Sequence, residues 1–238
     1  MNPQSTKVVL LHGWTPDTAV IERWQPLKKL FEKNNYQVYL WKIPGLTTNP
    51  NKTFTLEEYQ VWLKTKIKPL KKVVLVGHSF GGQLATIFTE QNPELVEKLI
   101  LINSAGIRDF TWQKILKRNM LKFLAKIGFI FKKINFFRKI IYKLIREKDY
   151  LEANHFQRVT INNALSFSVE PLLTNIKTHT LILWGKNDQT TPLYLGKVFK
   201  NNLPHNDFVE LPTRHSPVYT HPQLVFNHIN QFIKEKKL

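Results

Sequence analysis

Cysteine is missing from the sequence altogether. That excludes disulfides, thiolate metal sites and a cysteine nucleophile, and it is compatible with a reducing compartment. Long apolar runs are missing too: no stretch approaches the roughly 20 residues a membrane-spanning helix needs. The first apolar run, Val8 to Leu11, is too short for the core of a secretion signal and ends in His12-Gly13. A soluble, cytoplasmic protein is therefore expected. Acidic residues are scarce, with 17 Asp and Glu against 35 Lys and Arg, a formal net charge of +18. Such an excess invites a nucleic-acid or membrane-surface reading. Its distribution argues otherwise for most of the chain. Between Arg108 and Lys148 there are 13 Lys or Arg against Asp109 and Glu147, a net of +11, so more than half of the excess sits in one segment. No recognised binding module accompanies the charge, and no nucleic-acid partner is expected.

What is present fits a packed protein: 42% hydrophobic residues, with 16 Phe, 7 Tyr and 6 Trp among 238 residues. That length suits one α/β domain with a substantial core. Short apolar segments at 7–11, 37–43, 72–77, 96–102, 180–184 and 208–211 read as strands. They alternate with helical patterns at 19–33, 56–67, 81–90, 193–200 and 224–234. Thr55 followed by Glu58 predicts a capping box for the second helix. The alternation predicts a mostly parallel sheet with helices on both faces. It breaks once, between the fourth and fifth strands. The core domain is assigned to 1–106 and 176–238, and an inserted helical segment to 107–175.

Gly77-His78-Ser79-Phe80-Gly81-Gly82 follows the third strand and opens a helix. The pattern G-x-S-x-G in that setting puts a serine on a sharp strand-to-helix turn, with small residues on either side making room. A phosphate-binding loop fits poorly, since G-x-x-x-x-G-K-[ST] is absent. A serine hydroxyl needs a base, and the base needs a carboxylate to orient it. Asp188 follows the fifth strand and His215 follows the sixth, in the chain order Ser, acid, His. Taken alone, Asp188 reads as a helix cap and His215 as a loop residue; the three together read as a triad. Asp109 is the second choice for the acid. His205 falls at the wrong end of the sheet, His221 is a weaker base, and His78 and His12 are expected to shape their turns. An oxyanion would need preorganised N–H donors. Phe80, after the nucleophile, and Trp14, in the turn after the first strand, are the candidates. The Trp14 side chain reads equally as a pocket wall or a core tryptophan.

These motifs, with Trp184-Gly185-Lys186-Asn187-Asp188 and Ile102-Asn103-Ser104-Ala105-Gly106, resemble the α/β-hydrolase fold superfamily. The resemblance covers the chain outside the insertion. One departure is that the sheet starts at what is usually its third strand. The serine argues against the haloalkane dehalogenases, which use an aspartate there. The resemblance implies a serine hydrolase, carboxylesterase- or lactonase-like, with a helical cap over the site. The expected substrate is a small-molecule ester or lactone with an apolar acyl part, cleaved through an acyl-enzyme without cofactor or metal. C–C bond or thioester hydrolysis on the same triad, or a non-enzymatic binder of the same fold, are the alternatives. Within the insertion, Phe123, Ile127, Phe131, Ile134, Phe137, Ile141 and Leu144 recur at three- and four-residue steps, an amphipathic helix pattern. That stripe is expected to roof an acyl pocket; weak association of the basic cap with anionic membrane is the sharper reading.

Overall fold

A computed structural model describes residues 6–46, 50–108 and 153–235. The chain begins with β1 (Lys7–Leu11), α1 (Val20–Lys33), β2 (Gln37–Leu40) and α2 (Leu56–Ile67). It continues through β3 (Val73–His78), α3 (Phe80–Gln91) and β4 (Val96–Ile102). Then come α4 (His155–Ser166), β5 (Thr180–Gly185), α5 (Leu193–Asn202), β6 (Asn206–Leu211), α6 (Pro217–Thr220) and α7 (Pro222–Lys234).

The six strands form one sheet in the order β2-β1-β3-β4-β5-β6, each neighbouring pair parallel. Side chains alternate across it as the strand period demands. Val9, Leu11, Val73, Leu75, Leu99, Leu101, Ile182 and Trp184 face one way, against α2, α3, α4 and α5. Val8, Leu10, Val74, Val76, Ile100, Ile102, Leu181 and Leu183 face the other, against α1, α6 and α7. Both faces are dry, which is why the central strands read as unbroken apolar runs. The chain leaves β1 for β2 on one side and returns to pair β3 on the other, so the direction of winding reverses between β1 and β3. A crevice opens at such a switch point, beyond the carboxyl ends of the strands.

Three elements differ from expectation. β2 ends at Leu40, not Ile43, because the Ile43 N–H leaves the ladder to donate to His12 Nε2 at 3.0 Å. A short helix, α6, precedes the last one; its four residues are too few to show periodicity. α4 falls within the segment 107–175 expected to be helical, but its bounds were not read, because much of its buried side is polar: Gln157 and Thr160 are enclosed beside Ile161 and Ala164. Its N-terminus is nonetheless clearly marked, since Asn154 and Gln157 form a reciprocal capping box. The capping box expected at Thr55 and Glu58 is present. The amphipathic stripe from Phe123 to Leu144 and the second-choice acid Asp109 lie outside the described residues. Among the described residues, no helix is long and apolar enough to cross a membrane.

Candidate active site

Val73 to His78 is fully buried up to the turn, and the chain then reverses at Ser79 with φ 53° and ψ −118°. Positive φ is unfavourable for any residue with a Cβ, so this turn is strained and must be fixed by its surroundings. The Ser79 N–H donates to the Ile102 carbonyl, and the Ser79 carbonyl accepts from Gly82, Gln83 and Ala105. Close packing requires the glycines. A Cβ at Gly77 would lie 2.5 Å from the Gly81 oxygen, and one at Gly81 would lie 2.3 Å from the Leu11 oxygen.

β5 and β6 deliver the partners. His215 Nε2 lies 3.1 Å from Ser79 Oγ, and His215 Nδ1 lies 2.8 Å from Asp188 Oδ2. With Nδ1–H donating to the carboxylate, Nε2 is left to accept the serine proton. The two loops are also pinned to each other, Lys186 N–H to the Leu211 carbonyl and Asn187 N–H to the Thr213 carbonyl. Ser79, Asp188 and His215, drawn from three separate loops, are thus in one hydrogen-bonded line.

Two residues that the sequence reading passed over complete the acid's surroundings. Oδ2 of Asp188 also accepts from the Thr191 hydroxyl at 2.8 Å and from the Asn103 amide. Oδ1 accepts from the N–H groups of Thr190 at 2.7 Å and Thr191 at 3.0 Å. Burial alone would raise the pKa of this enclosed carboxyl; the His215 hydrogen bond and charge, with the Thr191 donors, more than offset it and hold it below the usual range. Asn103 reaches the acid from the end of β4 with φ 44°. Thr191 is set by the buried Trp184 indole, which donates to its carbonyl at 2.8 Å. A Thr and an Asn flanking a carboxylate follow no spacing rule, so pattern reading had little to find.

The turn after β1 lies against the serine: a Cβ at Gly13 would come within 3.1 Å of Ser79 Cβ. Trp14 therefore follows directly on a backbone that passes beside Ser79, with its side chain half-buried against the core. Phe80 starts α3, so its N–H is one of those without an intrahelical partner. Its ring is buried, edge-on to Tyr59 at 5.4 Å. His12 is enclosed and neutral, its pKa lowered to about 4 by burial, with the Gly13 carbonyl opposing. It bridges the Gly13 carbonyl and the Ile43 N–H. His205 is at the amino end of β6, away from this cluster, and His221 bonds its neighbour Thr220. Among the described residues, no group of His, Asp and Glu could hold a metal ion.

Comparison with known proteins agrees with this architecture. A family model described as the alpha/beta hydrolase fold matches residues 6–222. A pimeloyl-[acyl-carrier protein] methyl ester esterase of Legionella pneumophila (strain Paris) is 27% identical, over 97% of this chain and 96% of its own. The uncharacterized hydrolase YugF of Bacillus subtilis (strain 168) is 25% identical over 98% of this chain and 92% of its own. The solved structure of Rv0554 from Mycobacterium tuberculosis superposes with a TM-score of 0.75 at 19% identity, covering 100% of this chain and 93% of that one. The strand order, the serine turn after β3 and the family match over most of the chain make this protein a member of the alpha/beta hydrolase fold family.

Proposed function

We propose that the protein is a serine hydrolase that cleaves a carboxylic ester or lactone with an apolar acyl part. The observation that carries this reading is the line Asp188–His215–Ser79, at 2.8 and 3.1 Å. Ser79 Oγ attacks the carbonyl carbon as His215 Nε2 takes its proton. Asp188 fixes the imidazole and stabilises its cation. The N–H groups of Phe80 and Trp14 receive the oxyanion that forms in the tetrahedral intermediate. His215 then protonates the departing alkoxide, leaving an acyl-serine. Water, deprotonated by the same imidazole, releases the acid and restores the hydroxyl. Side chains and water supply every proton transfer.

The name of the Legionella relative supports an ester as the substrate. The expected cap over residues 107–175 supports an apolar acyl chain, since its sequence stripe is rich in Phe and Ile. Screening p-nitrophenyl esters of increasing acyl length, with lactones in the same panel, tests the reading. Turnover is expected in the wild type, and Ser79→Ala should lower kcat by roughly 1,000-fold or more. A fluorophosphonate probe should label Ser79 in the folded protein. Equal inactivity of both proteins across the panel, with no labelling, would overturn the assignment.

A further inference from the structure

His78 does more than fill the turn before the serine. It is 3% exposed and adjoins Ser79, His215 and the Gly13 turn. Its Nε2 lies 2.8 Å from the carbonyl oxygen of His215, so Nε2–H donates to the backbone of that residue. Its ring lies 5.1 Å from the His215 ring at 49°. Its Nδ1 is buried without a partner, on the side where a Cβ at Gly13 would come within 3.2 Å. Behind it stand the rings of Tyr219 at 6.1 Å and Trp24 at 6.4 Å, both edge-on. Trp24 donates to the Tyr219 hydroxyl at 3.2 Å, closing that wall.

A core histidine can bond any convenient carbonyl. This one bonds the carbonyl of the residue whose imidazole must meet Ser79, and it is covalently next to Ser79. The elbow strand and the loop after β6 are therefore joined by a link of one side chain. Both ends of the His215–Ser79 hydrogen bond are referenced to the same ring. His78 cannot itself be the base, because Nε2 is committed and Nδ1 faces the Gly13 turn. In the neutral ring, the donor role requires the proton on Nε2. Burial first, and the His215 charge next, lower its pKa to about 3, so it stays in that form at ordinary pH. The titratable groups facing it are His215, Asp188, His12 and Tyr219.

We propose that His78 is a positioning residue for the His215 loop, acting through its Nε2–H bond to the His215 carbonyl and through ring contact with the imidazole. This rests on the triad reading above, and the tests separate the two. The first uses the wild-type protein labelled with 15N in its imidazoles. His78 is expected as the Nε2–H tautomer, without titration between about pH 5 and pH 8. The Nδ1–H tautomer would overturn the proposal whatever the enzyme does. The second compares His78→Gln and His78→Leu, both verified as folded by near-ultraviolet circular dichroism. The Leu variant removes the donor; misplacement of the base by about 1 Å should lower kcat by about 100-fold. KM should stay within about twofold, because no substrate contact is removed. The Gln variant keeps an N–H that can reach the carbonyl, and it should recover several-fold of that loss. A Leu variant with wild-type kcat, or a Gln variant no better than Leu, would refute the hydrogen-bond role. If neither variant folds, the proton on His215 Nδ1 in the wild type decides. It should lie far downfield, as a fixed imidazole–carboxylate bond requires, and an exchange-broadened, mobile signal would count against the proposal. Absence of any Ser79-dependent turnover would strike at the hydrolase reading alone, leaving the tautomer measurement intact.

Discussion

At the scale of the residue, Ser79 shows a conflict between backbone and side chain. Its φ of 53° suits glycine, yet the proposed chemistry needs the hydroxyl. Removing the hydroxyl while keeping the Cβ leaves the strain; removing both releases it. Ser79→Gly should therefore be more stable than Ser79→Ala by about 1 kcal/mol, although both lose turnover. Urea unfolding of the two variants measures the difference. The acid offers a second test. Thr191→Val keeps the shape of the side chain but withdraws one donor from Asp188 Oδ2, leaving Asn103 and His215 on that oxygen. A hydrogen bond to a charged group is worth about 1.5–3 kcal/mol. Loss of part of that orientation should lower kcat about tenfold. An unchanged kcat would mean that the remaining donors fix the carboxylate by themselves. Ser79, Asp188 and His215 were legible in the sequence because each closes a strand-end motif. Asn103 and Thr191 were not, because their role depends on which loop faces which, and that is set only when β4 and β5 pair.

Among the elements, α4 is the clearest case of a helix whose address is written in polar side chains. Asn154, Gln157 and Thr160 recur every three residues along one side. Asn154 Nδ2 donates to the Pro50 carbonyl, Gln157 Nε2 to the Leu46 carbonyl, and Thr160 Oγ1 accepts from the Phe54 N–H. At the other end of the helix, the buried Gln83 of α3 donates to the Ala164 carbonyl at 2.8 Å. This helix is thus strapped to the loop between β2 and α2 and to the helix behind the serine. Apolar periodicity is blind to this arrangement, which is why individual β and α units were readable at 7–102 and 180–234, whereas α4 was covered only by the broad helical assignment of 107–175. The residues between 109 and 152 had a readable stripe, and their place lies outside the described structure. Thr160→Val should leave the Phe54 N–H without its acceptor in a partly buried position. The expected cost is about 1–3 kcal/mol in urea unfolding, against less than about 0.5 kcal/mol for an exposed control such as Lys64→Gln.

For the whole molecule, the two enclosed histidines couple stability to pH. His12 and His78 are neutral in the folded chain, with pKa values lowered to about 4 and about 3, chiefly by burial. In the unfolded chain an imidazole takes up a proton near pH 6.5. Between those limits the unfolded state binds more protons than the folded one, so stability falls as the pH falls. Each histidine should remove about 2–3 kcal/mol between pH 7.5 and pH 4.5, at 1.36 kcal/mol per pKa unit. Asp188 acts in the same direction lower down: its folded pKa is depressed, so its contribution is complete above the ordinary carboxylate range and disappears as the pH falls through the folded value. The high positive charge steepens the acid side further, because protonating the 17 acidic residues leaves 35 Lys and Arg unopposed. Salt separates these contributions. Repulsion between exposed charges is screened at 0.5 M, where the Debye length is about 4 Å, while the cost of keeping a buried imidazole neutral is not. Urea unfolding at pH 7.5 and pH 4.5, at low and high salt, should therefore show a loss that salt relieves only in part. His78→Gln should reduce the salt-resistant loss by about half, since it removes one of the two buried imidazoles. A salt-resistant loss of the same size in that variant would show that His78 takes up its proton in the folded state, contrary to its enclosed position beside His215.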